Sequence, residues 1–157
     1  ATFQASYDNL TEDKIEKLRH QPEIETVASL YNLGEIKMPE GYSLYLAYMD
    51  DAACYIARNQ FTLKDGTMPS KENEIAVDRE MVNKYFSNTA IGDKISFQIN
   101  GKSQDFVISG ITESSTESQG NYSCYISKSF VENSSNYNPA KYQSYVLLMQ
   151  IQHQKKF

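Results

Sequence analysis

Few side chains in this 157-residue sequence have the types and spacing that chemistry requires. Asp50 and Asp51 are adjacent carboxylates that could bind a metal ion or exchange protons, but no third carboxylate or histidine lies at ligand spacing. His20 ends a predicted helix, where an imidazolium favours the helix dipole, and His153 has no cysteine or carboxylate in a recognisable constellation. The sequence also lacks nucleophile-elbow, zinc-protease and phosphate-loop motifs. We therefore predict no catalytic, cofactor-binding or metal site.

Cys54 and Cys124 are the two cysteines, and neither has a second cysteine or a histidine at the spacing of zinc ligands. One interpretation is a disulfide, which would contribute about 3–5 kcal/mol by closing a loop of this size in an oxidising compartment. The other is a pair of unlinked thiols that pack as small apolar side chains. The residues alone leave both alternatives open.

The composition limits the class of protein. Hydrophobic residues make up 40% of the chain, and the formal net charge is -5 with no basic cluster beyond Lys155 and Lys156. Because a phosphate backbone requires a basic footprint, we exclude nucleic acid as a partner. No run approaches the roughly 18 apolar residues that span a bilayer, and the first residues show no secretory pattern. The length suffices for a single domain, residues 1–157, with a buried core.

The elements that would position a site begin with a predicted β-α-β unit. Residues 2–7 alternate as a strand, and Thr11 is a good N-cap for a helix from Glu12 to about His20. Residues 24–31 form the second strand, after which Asn32-Leu33-Gly34 predicts a turn. An amphipathic helix of this kind needs a sheet to pack against.

The rest of the chain alternates further strands with polar segments. We predict exposed loops at 112–121 and 133–143, because both are rich in residues that favour turns. Asp50 and Asp51 should cap a short helical segment. The further strands are predicted at 43–49, 122–127 and 145–151.

The central stretch, residues 66–111, has the clearest local signals. A strand at 73–78 precedes a helix at 79–86, in which apolar side chains recur at helical spacing. Strict alternation at 95–99 then leads to Asn100-Gly101, a pair that suits a two-residue type I′ turn. We therefore predict a β-hairpin whose return strand ends at Gly110.

Two sequences in this stretch carry a family resemblance: "DGTMPSKENEIAVDREMV" and "AIGDKISFQINGKSQDFVISGI". In order, they contain a Gly-x-x-Pro turn, an Asn-Glu-Ile-x-Val strand, a helix, an Ile-Gly-Asp turn and a hairpin ending in Val-x-Gly-Ile. This succession resembles the extracytoplasmic domain of MacB/FtsX-type ABC transporter permeases. About 50 contiguous residues carry the resemblance, and the ordered set of motifs is more specific than any one of them.

The resemblance implies an α+β fold with two lobes. The β-α-β-containing, porter-like lobe would comprise residues 1–50 and 120–157, since the opening unit and the late strands need each other to bury the helix. An inserted β-rich lobe with the hairpin would comprise residues 60–112. An extracytoplasmic location would also allow Cys54 and Cys124 to form a disulfide.

The resemblance further implies a non-catalytic domain that relays ATP-driven motion to a substrate or partner, in the export or extraction of a peptide, lipid or drug. Its partners would be its own flanking transmembrane helices, a cytoplasmic ABC ATPase and a second permease copy. We expect a location on the extracytoplasmic side of the cell membrane, in a Gram-positive or similar bacterium. The alternative function is a freestanding secreted ligand-binding or adhesion module; an enzyme would need clustered perturbed carboxylates or a hidden Cys–His pair.

In a domain without a catalytic centre, partners should contact loops held by a rigid scaffold. Of the two polar segments, we favour 112–121, because it follows the hairpin lobe and carries two glutamates among hydroxyl residues. This composition would suit a cationic peptide. The candidate partner-contact residues are Glu113, Ser114, Ser115, Thr116 and Glu117.

Overall fold

The computed structural model describes residues 3–149, and within them the fold is α+β, as predicted. Ten strands form one mixed sheet, with four short helices between them. The helices are α1 (Glu12–Arg19), α2 (Asp51–Ile56), α3 (Arg79–Tyr85) and α4 (Lys128–Glu132). The strands are β1 (Phe3–Leu10), β2 (Ile24–Val27), β3 (Leu30–Lys37), β4 (Ser43–Met49), β5 (Phe61–Gly66), β6 (Glu74–Asp78), β7 (Lys94–Ile99), β8 (Lys102–Ser114), β9 (Asn121–Ile126) and β10 (Tyr142–Leu148).

The strand order is β1-β10-β3-β4-β9-β6-β8-β5, with β2 beside β10 and β7 beside β8. The late strand β10 pairs with β1, β2 and β3, as the sequence predicts, although residues 150 and 151 of the predicted strand lie outside the described range. The pairs β4–β9 and β6–β8 are parallel. Strands β1–β4, β9 and β10 join strands β5–β8 at one place in the sheet, where Ile75 and Ala76 of β6 pair with β9. Because the sheet continues across this junction, the division into two lobes stays a prediction.

Side-chain caps begin the helices at the predicted positions. The hydroxyl of Thr11 accepts a hydrogen bond from the Lys14 amide at 3.3 Å and starts α1. The carboxylate of Asp50 accepts from the Ala53 amide at 2.9 Å and starts α2. Such caps satisfy amides that have no partner inside the helix.

The predicted hairpin is confirmed. Asn100 and Gly101 have φ values of 53° and 76°, and they join β7 to β8 with Ile99 opposite Lys102. Two consecutive positive φ values are what a type I′ turn needs, and these two residue types tolerate them best.

The predicted turn at Asn32-Leu33-Gly34 is wrong. These residues lie inside β3, where the pairing with β4 shifts register between Asn32 and Gly34. Gly34 has a φ of 91°, which is the geometry of a bulge with glycine in the left-handed region. The chain turns later, where the Met38 amide donates to the Tyr42 carbonyl at 2.8 Å.

Gly110 does not end the return strand either, since β8 continues to Ser114. Its partner there is β5, a strand that was not predicted, with Gly66 directly opposite Gly110. A Cβ atom on Gly110 would lie 2.4 Å from the Thr67 carbonyl oxygen. Gly110 is thus a point of close backbone approach inside the strand.

The main core lies on one face of the sheet. It contains Ile15 from α1, Met81 and Val82 from α3, and Val131 from α4, together with apolar residues from both halves of the sheet. Helix α2 packs on the opposite face, where Ala53 belongs to a separate small cluster. One core therefore joins the two predicted lobes.

Candidate partner-contact site

The described chain begins and ends at the same end of the sheet, because Phe3 pairs with Leu148 on the adjacent antiparallel strands β1 and β10. We call this the base. Strand β3 runs antiparallel to β10, so its C-terminal end and the turn at 38–42 lie at the opposite, distal end. Strand β9 begins beside that turn, since it is parallel to β4 with Asn121 opposite Ser43.

The structure places the predicted loop at this distal end, but the loop is shorter than predicted. Glu113 and Ser114 belong to β8, and Asn121 already belongs to β9, so the connection covers residues 115–120. The Ser43 amide donates to the Gly120 carbonyl at 2.8 Å, which fixes the loop beside the turn at 38–42. We call residues 115–120 the distal loop.

Hydrogen bonds hold both ends of the distal loop. The amide and the hydroxyl of Ser115 each donate to the Gln60 carbonyl at 2.9 Å. The hydroxyl of Ser118 donates to Glu80 Oε2 at 2.8 Å. The loop therefore has a defined conformation, and Thr116 and Glu117 lie exposed between these anchors.

The two glutamates of the candidate site have different surroundings. Glu113 lies 3.1 Å from Arg79 Nε and 3.5 Å from Lys64 Nζ, and Arg79 also contacts Asp65 at 3.1 Å. These pairs are solvent-exposed and worth little stability, but they neutralise the Glu113 charge. Glu117 lies in the loop itself, so it is the better candidate of the two for binding a cation.

A cleft of about 490 Å³ lies between α3 and the end of β8. Asp78 lies at the floor of the cleft and is buried. Its Oδ1 accepts a hydrogen bond from the Met81 amide at 3.1 Å, and burial raises the pKa of its carboxyl. The parallel pairing of β6 with β8 sets Asp78 opposite Thr112, which brings α3 beside the candidate residues. The residues lining this cleft are Asp78, Arg79, Glu80, Asn83, Lys84, Glu113, Ser114 and Thr116.

The α3 side of this cleft was not predicted from the sequence. Residues 78–84 and 113–116 are far apart in the chain, and only the pairing of β6 with β8 brings them together. The order strand–helix–hairpin could have indicated a parallel β6–β8 pair, since a helix between two strands is the usual crossover. The sequence alone does not say at which end the two segments meet.

The second predicted loop, 133–143, is anchored over the core. Tyr142 and Gln143 belong to β10, so the connection covers residues 133–141. The Asn138 amide donates to the Tyr31 hydroxyl at 3.0 Å, and the hydroxyls of Tyr137 and Tyr142 lie 3.1 Å apart. The choice of the distal loop as the candidate site stays a prediction.

The two cysteines are free thiols in the structure and lie on opposite faces of the sheet. Cys124 is in the main core, 3.9 Å from the sulfur of Met81. Its neighbour Tyr125 points to the other face, into the small cluster that Cys54 joins. A bridge would have to pass through the sheet, so this arrangement fits the alternative of two unlinked thiols.

Two kinds of feature are absent from residues 3–149. No group of three or more His, Cys, Asp or Glu side chains could hold a metal ion there. Among the same residues, no helix is long and apolar enough to cross a membrane.

No protein-family model and no curated protein matches the sequence, but its structure resembles solved ones. A permease domain from Porphyromonas gingivalis superposes with a TM-score of 0.67 at 11% identity, covering 94% of this chain and 74% of that one. The extracellular domain of the noncanonic ABC-type transporter YknZ from Gram-positive bacteria gives 0.63 at 15%, covering 96% and 75%. The periplasmic region of MacB from Actinobacillus actinomycetemcomitans gives 0.60 at 17%, covering 92% and 67%. The chain thus has the fold of these extracytoplasmic transporter domains, and the resemblance seen in the sequence is confirmed at the level of fold.

Proposed function

We propose that this chain is the extracytoplasmic domain of an ABC transporter permease, which relays ATP-driven motion of membrane helices to a substrate or partner. The observation that carries this proposal is the likeness to transporter domains over at least 92% of the chain. ATP hydrolysis would reside in a separate cytoplasmic ATPase. The domain itself would carry out no chemical step.

The position of the first and last described strands supports this proposal. A domain inserted between two membrane helices has to leave and re-enter the membrane on one side, and here β1 starts beside the end of β10. The base would then face the membrane, and the distal loop would point away from it. The partners would be the flanking transmembrane helices, the ATPase and a second permease copy.

We assign the distal end to contact with a substrate or partner. The carboxylates of Glu80 and Glu117 are exposed there, which suits a cationic peptide, while Glu113 is neutralised by Arg79 and Lys64. The similar structures include a periplasmic region and a domain from Gram-positive bacteria, so the expectation of a Gram-positive source gains no support from them.

The intact gene tests the assignment directly. We expect it to encode transmembrane segments on both sides of these residues, and a purified membrane complex to contain an ABC ATPase. The alternative is a freestanding secreted binding or adhesion module. A signal peptide directly before residue 1, with no transmembrane segment elsewhere, would establish that alternative instead.

The role of the distal loop is tested in the full transporter. Replacing residues 115–119 by a Gly/Ser linker, with Glu113 and Gly120 kept, should reduce transport or resistance while the protein level in the membrane stays normal. Glu25→Gln, an exposed change on β2 near the base, serves as the control and should leave transport unchanged. Normal transport with the linker would leave the loop as a connection only.

A further inference from the structure

A concavity of about 690 Å³ lies on the side of the molecule where the β7–β8 hairpin approaches β3 and α4. We call it the hairpin groove. Its floor is formed by Leu33, Ile36, Leu46, Ile99 and Phe130. This volume falls within the range of about 300–1,000 Å³ that is typical of ligand sites.

The floor is where the main core reaches the surface. Leu46 is only 1% exposed, but Leu33, Ile36, Ile99 and Phe130 are half-buried side chains at the margin of the core. Leaving such apolar surface in water forgoes about 25 cal/mol per Å². A ligand with apolar side chains would remove this cost.

One wall of the groove has an unpaired strand edge. Strand β8 pairs with β7 from Lys102 to Val107, but on its other edge β6 begins to pair only at Val107. Residues 102–106 therefore have a neighbouring strand on one edge only. An extended peptide can add to such an edge through its own backbone amides and carbonyls.

The polar groups of the groove also favour a peptide. The side-chain amides of Asn73, Asn100 and Asn136 line it, and none has a side-chain hydrogen bond among the described residues. An amide both donates and accepts, so these groups match a peptide backbone. A hydrocarbon chain could satisfy neither them nor the strand edge.

The charges of the groove select between kinds of peptide. The groove is lined by two carboxylates, Glu35 and Glu72, and by one cation, Lys102. Ser43 donates to Glu35 at 2.6 Å and lowers the pKa of its carboxyl, and Asn133 donates to Glu72 at 3.0 Å. Two carboxylates at the rim attract a basic side chain and repel fatty acids and anionic headgroups.

We propose that the hairpin groove binds an extended peptide, which adds as a strand to the free edge of β8 and carries a basic side chain between apolar ones. As a substrate class for the transporter, this inference rests on the function proposed above. The titration below uses the chain alone, so its failure and a failure of the transporter assignment are distinguishable.

The probe is acetyl-Leu-Val-Lys-Leu-Val-amide, titrated into the isotopically labelled chain while amide NMR signals are followed. Saturable shifts should map to residues 33–36, 99–106 and 130–136. Three comparison ligands separate the contributions: the same peptide with glutamate for lysine, a copy N-methylated at alternate backbone amides, and dodecanoate. The glutamate peptide should bind on the order of fivefold more weakly, and the other two should show no saturable shift in these residues.

Variants locate the site. Ile99→Ala should weaken binding of the lysine peptide roughly fivefold, because part of the floor is lost. Leu63→Ala is the matched control: this side chain is 39% exposed, lies outside the groove and should leave the affinity unchanged. Unchanged far-UV circular dichroism shows that each variant is folded.

Four outcomes would overturn the proposal. They are no saturable binding of the lysine peptide up to its solubility limit, equal binding of the N-methylated copy, binding of dodecanoate in preference to the peptide, and an affinity that Ile99→Ala and Leu63→Ala change equally.

Discussion

Replacing Gly66 by alanine should destabilise the fold much more than the same change at Gly92. Both glycines have positive φ, 74° at Gly66 and 94° at Gly92, so an alanine side chain is strained at either position. They differ in space: a Cβ on Gly66 would lie 2.1 Å from the Ser109 carbonyl oxygen, whereas a Cβ on Gly92 meets nothing within 4 Å. The comparison therefore separates strain in φ from steric overlap.

The expected magnitudes follow from these distances. Gly92→Ala has only the cost of the left-handed conformation, about 1 kcal/mol. Gly66→Ala adds an overlap with backbone, and overpacking costs about 1–3 kcal/mol, so the total should be about 2–4 kcal/mol. The Ser109 carbonyl cannot move freely, because it also accepts from the Thr67 amide at 2.9 Å.

Urea unfolding followed by far-UV circular dichroism measures the free energy of unfolding of each variant. For a chain of this size, each kcal/mol should also lower the melting temperature by about 2–4 °C. Equal destabilisation at the two positions would refute the argument, since it would mean that the β5–β8 contact can open at no cost. Gly110→Ala, with its Cβ 2.4 Å from the Thr67 oxygen, provides a second test of that contact.

Two further predictions concern buried titratable groups. Asp78→Ala should cost about 1 kcal/mol through loss of the α3 cap, while Asp78→Asn keeps the cap. Burial raises the pKa of Asp78 in the folded state, so the folded state binds the proton more tightly than the unfolded state. The free energy of unfolding of the natural chain, relative to the Asn variant, should therefore increase from pH 7 to pH 4.5. A pH-independent difference would contradict this. Burial also raises the pKa of Cys54 to about 11 and that of Cys124 to about 12, so iodoacetamide at pH 8 should label half-buried Cys54 slowly and Cys124 only in urea. Mass spectrometry without reductant should find both thiols free, and a mass lower by two hydrogens would show the disulfide instead.

The sequence by itself determined the elements whose signals are local. A helix cap such as Thr11 acts on an amide three residues away, and the Asn100-Gly101 turn acts between adjacent strands. Periodicity within such short stretches reports directly on which side chains face the core. The hairpin and the presence of both helices and strands followed from these signals. The pairing of the last strand with the first ones was predicted on a different ground, the need to bury the apolar face of α1.

Only the tertiary structure decided what depends on distant pairing. Strand β5 was not among the predicted strands: only Phe61 in it is buried, and the strand pairs with β8, far along the chain. A glycine in such a segment can mark a turn or a close approach equally well. The cleft beside α3, the open edge of β8 and the opposite faces of Cys54 and Cys124 likewise depend on which strands are neighbours. Which strands become neighbours in the sheet depends on how all the apolar faces of the chain can be buried together. No local window of sequence contains that information.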